Sequence, residues 1–131
     1  MTIRDIDDFI SSLWDWGILK GCFGDTKIEP TDIDGIVERN GHFLVLETKK
    51  PGNPLVQGQR IMFNRLLELK MFTVLIIWGH PGCPEKMLIM YPPPYPAKEI
   101  ECDRDMLRQV VSRWFDYANK CTRDSRVTLT H

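Results

Sequence analysis

The chain alternates between stretches whose apolar positions recur every three to four residues and stretches with strand-like runs. Ile6, Phe9, Ile10, Leu13 and Trp14 fall at helical spacing. They predict an amphipathic helix over residues 3–19 that ends near Leu19, where Gly17, Gly21 and Gly24 break the pattern. Lys27 to Glu29 reads as a short strand stopped by Pro30. Two β-rich runs, Asp32 to Glu38 and Phe43 to Lys49, flank Asn40-Gly41, a strong hairpin signal. Pro51, Gly52 and Pro54 end the second run. Residues 55–71 predict a helix with Met62, Phe63, Leu66 and Leu69 on one stripe. Thr73 to Trp78 is continuously apolar, as expected of a strand buried on both faces. Lys86 to Tyr91 reads as another strand, and Pro92, Pro93, Pro94 and Pro96 as a stiff connection. Asp103 is placed to cap a last helix, Arg104 to about Lys120, with Leu107, Val110, Val111, Trp114 and Ala118 facing the core. The last ten residues read as a polar tail.

The expected order is helix, hairpin, helix, strand, strand, helix. A strand–helix–strand unit from Val45 to Trp78 calls for a right-handed crossover and parallel strands. The fold class is therefore α/β, a mixed central sheet flanked by helices.

Composition narrows the class of protein. At 131 residues, with 43% hydrophobic and 27% charged positions, one soluble domain over 1–131 is expected. The first residues carry three acids and no basic stretch leading into an apolar one, so no secretory signal and a cytoplasmic setting are expected. The longest apolar run is too short for a membrane span, and no membrane partner is expected. Cys22, Cys83, Cys102 and Cys121 form no CxxC pair and read as reduced thiols. His80 and Cys83 have the spacing of half a zinc site, but His80-Pro-Gly-Cys83-Pro reads as a turn after a strand. Trp14, Trp16, Trp78 and Trp114 read as core rather than as stacking platforms. The net charge of −1 runs against the basic surplus usual in nucleic-acid binders, although an acidic metal site would offset basic residues elsewhere.

The chemistry lies in the hairpin. With Asn40-Gly41 as a two-residue loop, Arg39 faces His42, Gly35 faces Leu46, Asp34 faces Glu47 and Asp32 faces Lys49. Side chains alternate, so one face carries Asp32, Asp34, Glu47 and Lys49, and the other Ile33, Val37, Leu44 and Leu46. Directly opposed like charges destabilise a sheet, and a divalent cation between the carboxylates would relieve them. Such a cation polarises a phosphoryl oxygen and acidifies a bound water, and Lys49 would orient that water or offset developing charge.

Pro30-Thr31-Asp32-Ile33-Asp34-Gly35 followed by Glu47-Thr48-Lys49 resembles the signature of the PD-(D/E)XK nuclease superfamily. The resemblance covers roughly residues 5–79, about half the chain. It implies a restriction-endonuclease-like αβββαβ core with an extra C-terminal strand and helix, in a small phage-type or resolvase-like member. It implies a deoxyribonuclease in which Asp34 and Glu47, with Asp32 as the alternative ligand, hold Mg²⁺ or Mn²⁺, Lys49 is catalytic, and Gln59 positions substrate or water. The family's frequent glutamate on the first helix has no counterpart here, where Asp5, Asp7, Asp8 and Asp15 are the acids present. DNA is the implied partner, met by Lys50 and Arg60 near the motif, with Arg65 and Lys70 beyond and Arg104, Arg108, Arg113, Lys120, Arg123 and Arg126 late in the chain. A stand-alone or homodimeric enzyme would suit the size. The alternative is a catalytically inactive module of the same fold that binds nucleic acid or a protein.

Overall fold

The computed structural model describes residues 2–121. The tail, with Arg123 and Arg126, lies outside them. The chain forms two compact units, Met1–Asp32 and Ile33–His131.

The first unit holds helix α1, Ile3–Ser12, and a 3-10 helix, Trp16–Leu19. Thr2 and Asp5 form a reciprocal capping box that starts α1. The helix stops seven residues short of the expected Leu19. The Ser11 and Ser12 hydroxyls donate back to the Asp8 and Phe9 carbonyls, Leu13 is extended, and the Asp15 side chain accepts from Gly17 N–H to open a separate turn. No residue of α1 is buried. Trp14 and Trp16 are exposed, against the expectation of core positions. Lys27 to Glu29 form no strand. There the Thr26 hydroxyl accepts from Ile28 N–H and donates to the Phe23 carbonyl, a local turn that competes with ladder pairing.

The second unit is a five-stranded mixed sheet, in the order β1-β2-β3-β4-β5, with helices α2 and α3. The strands are β1 Gly35–Arg39, β2 His42–Lys49, β3 Phe72–His80, β4 Cys83–Met90 and β5 Lys98–Glu101. Helix α2 spans Gln57–Glu68, between β2 and β3, and α3 spans Arg104–Lys120. β2 and β3 pair in parallel, as the α2 crossover requires, and the other neighbours are antiparallel. The hairpin register is the one expected, from Arg39↔His42 to Gly35↔Leu46. Asn40 and Gly41 both take positive φ, 52° and 81°, as a type I′ turn needs.

Alternation along the buried strands builds two cores. Leu44, Leu75, Ile77, Met87 and Ile89 pack with Trp114 and Ala118 of α3, and Leu107, Val110 and Val111 join them. Val45, Val74, Ile76 and Trp78 pack with Phe63 and Leu67 of α2. β3 is thus covered on both sides. Two expectations about faces change. On α2 the core residue is Leu67, while Leu69 is 56% exposed because the helix ends at Glu68. On the hairpin, Val37 and Ile33 are exposed, because β1 is an edge strand and burial concentrates on β2.

β4 begins at Cys83, three residues before the expected start, after a turn at Pro81-Gly82. β5 is an added strand. Its Lys-Glu-Ile-Glu sequence is too short and too charged to stand out, and charge is a common way to blunt a sheet edge. Asp103 caps α3 by accepting from Met106 N–H, as expected.

The turn of the hairpin is tied to the end of α3. Asn40 Nδ2 donates to the Ala118 carbonyl at 3.2 Å, and Arg39 Nε donates to Asn119 Oδ1 at 2.7 Å. His42, 5% exposed, contacts the Cys121 carbonyl through Nε2 and meets Tyr117 edge-on.

Candidate functional site

β2 carries Val45, Glu47 and Lys49 on its α2 side, because residues two apart share a face. α2 begins soon after β2 ends, so its first turn returns Gln59 over that end of the strand. Lys49 Nζ donates to Gln59 Oε1 at 2.6 Å. Gln59 Nε2 points to Glu47 Oε2 at 3.4 Å, a long hydrogen bond. The amide therefore reads the cation with its oxygen and the acid with its nitrogen. Glu47 is 6% exposed, whereas Lys49 and Gln59 are half-buried.

Asp34 sits one residue before β1. Its Oδ2 accepts from Thr48 N–H at 2.8 Å and from the Thr48 hydroxyl at 2.9 Å. These bonds fix the carboxylate across the end of β2. The Thr48 backbone N–H is the main cause that holds the Asp34 carboxyl below its ordinary pKa. A hydrogen bond from Glu47, the Thr48 hydroxyl and the charge of Lys49 act in the same direction, and partial burial opposes them. The Asp34 and Glu47 side chains are thus close enough to influence one another.

Asp34, Glu47, Lys49 and Gln59 come together in space. Lys50 and Arg60 are exposed and stand apart from the Lys49–Gln59–Glu47 hydrogen bonds. Asp32 ends the first unit and lies outside the β1–β2 ladder. Thr48 was not singled out by sequence, though its place inside Glu47-Thr48-Lys49 was visible. Its hydroxyl and N–H orient Asp34, a partner that β-alternation alone does not reveal.

A divalent cation can be tested against this donor set. The site offers carboxyl oxygens, with no sulfur or imidazole, which suits a hard cation such as Mg²⁺. No group of three or more His, Cys, Asp or Glu side chains able to hold a metal occurs among the described residues. Mg²⁺ is compatible with two carboxylates because it commonly retains several waters. Two carboxylates brought together at one strand end repel each other when ionised, and a divalent cation between them would relieve that repulsion. Just beyond Trp78, at the same end of β3, His80 and Glu85 form an exposed pair at 3.9 Å.

Elsewhere the same strand end is braced by Trp78. Its indole N–H donates to the Asn53 carbonyl at 2.6 Å, which fastens the connection between β2 and α2. Lys86 Nζ lies 4.5 Å from the Trp78 ring centroid. No helix among the described residues is long and apolar enough to cross a membrane.

Comparison of the chain with protein-family models gives no match, and neither do comparisons with curated proteins or with solved structures.

Proposed function

We propose that the chain is a metal-dependent nuclease that hydrolyses phosphodiester bonds in DNA. One observation carries the reading: an acid pair, Asp34 and Glu47, shares the end of β2 with Lys49, and Gln59 bridges Lys49 to Glu47. The order β1, β2, α2, β3 supports it as the ββαβ part of the αβββαβ pattern of PD-(D/E)XK nucleases.

Asp34 and Glu47 would hold Mg²⁺ or Mn²⁺. When bound, the cation would polarise the scissile phosphoryl group and acidify a water. Thr48 holds the Asp34 carboxylate in one orientation through two donors. Lys49 brings an ammonium to the same spot, where it can hold the attacking water or offset charge on the phosphate oxygens. Gln59 is a positioning residue: its amide sets the distance between Lys49 and Glu47. Lys50 and Arg60, both exposed, would meet backbone phosphates of the substrate.

The test is incubation of the purified chain with plasmid, single-stranded and branched DNA in Mg²⁺, Mn²⁺ or EDTA. Cleavage is expected with metal and none with EDTA. Glu47→Gln and Lys49→Ala should each lower the rate by about 100-fold or more. Cutting of none of these substrates with either metal, or undiminished cutting by both variants, would overturn the reading. Gln59→Ala should lower the rate and leave the metal requirement in place, because it releases Lys49 from its partner without removing an acid.

A further inference from the structure

On the opposite face of the sheet, between the strands and α3, lies a cavity of about 830 Å³. It is remote from the acid pair in two respects. Leu44 and Leu75 line it, so it lies on the α3 side, whereas Glu47 and Lys49 project to the α2 side. It also opens at the other end of β2, beside His42. At about 3.3 Å per residue, the seven steps from His42 to Lys49 amount to roughly 23 Å.

Its floor is core material: Leu44, Leu75, Ile89, Val110 and Trp114. The volume falls within the range of about 300–1,000 Å³ in which small-molecule sites occur, and an apolar floor with few polar groups is their usual lining. The formally charged groups here have one sign. Lys70, Lys98 and Arg113 stand in the wall, and no Asp or Glu among the described residues does. None of the three has an acidic partner within ion-pair distance among the described residues. Tyr91, Tyr95 and Tyr117 add phenol groups that can donate to an anion or lie flat against an apolar body. An apolar floor beneath cations without counter-ions selects for charge and for hydrophobicity at once.

We propose that this cavity is a binding site for a small amphipathic anion, an aromatic or acyl body that ends in a carboxylate, sulfonate or phosphate. The body lies on Leu75, Val110 and Trp114, and the anionic end meets Lys98 and Arg113. The site is independent of the acid pair and does not require phosphodiester chemistry.

The full chain is titrated with anilinonaphthalene sulfonate, a fluorescent probe with this chemistry. One saturable site per chain is expected, with energy transfer from tryptophan that Trp114→Phe reduces. Decanoate should displace the probe, and decanol should not. Lys98 and Arg113 are exposed, so the double variant Lys98→Glu, Arg113→Glu should keep its fold, checked by circular dichroism. It should bind the probe about tenfold or more weakly, the loss expected of charge-assisted contacts. Lys49→Ala should bind as the parent does. The proposal fails if binding is not saturable, if the double variant binds equally well, or if neutral N-phenylnaphthylamine binds as tightly as the sulfonate. A concentration-dependent dimer that the double variant abolishes would give the cavity to a second copy of the chain and would also overturn it.

Discussion

Asp34 shows how much of a site can hang on one neighbour. Two donors of Thr48 favour its ionised form, so its folded pKa lies below the ordinary value of 3.8. A lowered carboxyl pKa contributes stability that is present above the unfolded value and is lost as pH falls through the folded one. Asp34→Asn should therefore cost stability near neutral pH, and the gap to the parent should close below about pH 4. Denaturant melts of both proteins across that range check this; a gap that widens in acid would contradict the assignment. Thr48→Val should reproduce part of the effect, since it removes the hydroxyl and leaves the N–H. For Lys50 and Arg60 the expected signature differs. Each replacement by alanine should weaken DNA binding similarly for all sequences and reduce the salt slope by about one. Binding isotherms at several salt concentrations report that slope.

Among the elements, β3 carries the sharpest constraint. Its ladder with β4 shifts register between Trp78 and Gly79, and Gly79 takes φ of 158°. A Cβ there would come within 2.4 Å of the Cys83 carbonyl oxygen, a backbone atom that cannot swing aside. Gly79→Ala should cost about 1–3 kcal/mol, read as a lower denaturation midpoint. Trp78, the residue before this shift, donates to Asn53, so the variant should also be checked for a loosened link into α2. The sequence revealed those elements whose signals were strong and local. Asn40-Gly41 set the hairpin register, Asp103 set the start of α3, and the apolar run through Ile76 announced a doubly covered strand. β5 escaped because four residues with three charges resemble a loop, and only pairing with Lys86 to Ile89 makes them a strand. The far end of the expected first helix was lost to short side chains. Ser11, Ser12 and Asp15 offer backbone bonds that compete with helix continuation, and periodicity is blind to them. At the site, Glu47 and Lys49 were legible from strand alternation, whereas Gln59 came only through the resemblance to the nuclease signature. The Gln59 bridge and the Thr48 clamp were not legible, because both depend on side-chain reach.

For the molecule as a whole, a cation held by the folded site and not by the unfolded chain should raise stability. At a hundred times its dissociation constant the gain is about 2.7 kcal/mol. Thermal melts in Mn²⁺ or Mg²⁺ against EDTA should show an upward shift in the parent that Glu47→Gln abolishes, together with proton release on binding. The tie between the hairpin turn and the end of α3 has a consequence of another kind. Asn40 and Ala118 are 78 positions apart, so their bond closes most of the second unit into one loop. Contacts so distant along the chain repay their closure entropy late, after nearer strands have paired. Arg39→Ala, which removes the neighbouring bond to Asn119 and leaves the two turn residues intact, should then leave the rate of folding almost unchanged and quicken unfolding. In a chevron the unfolding limb alone would rise. The turn that sets the register of the site would thus also govern how long the native state lasts once formed.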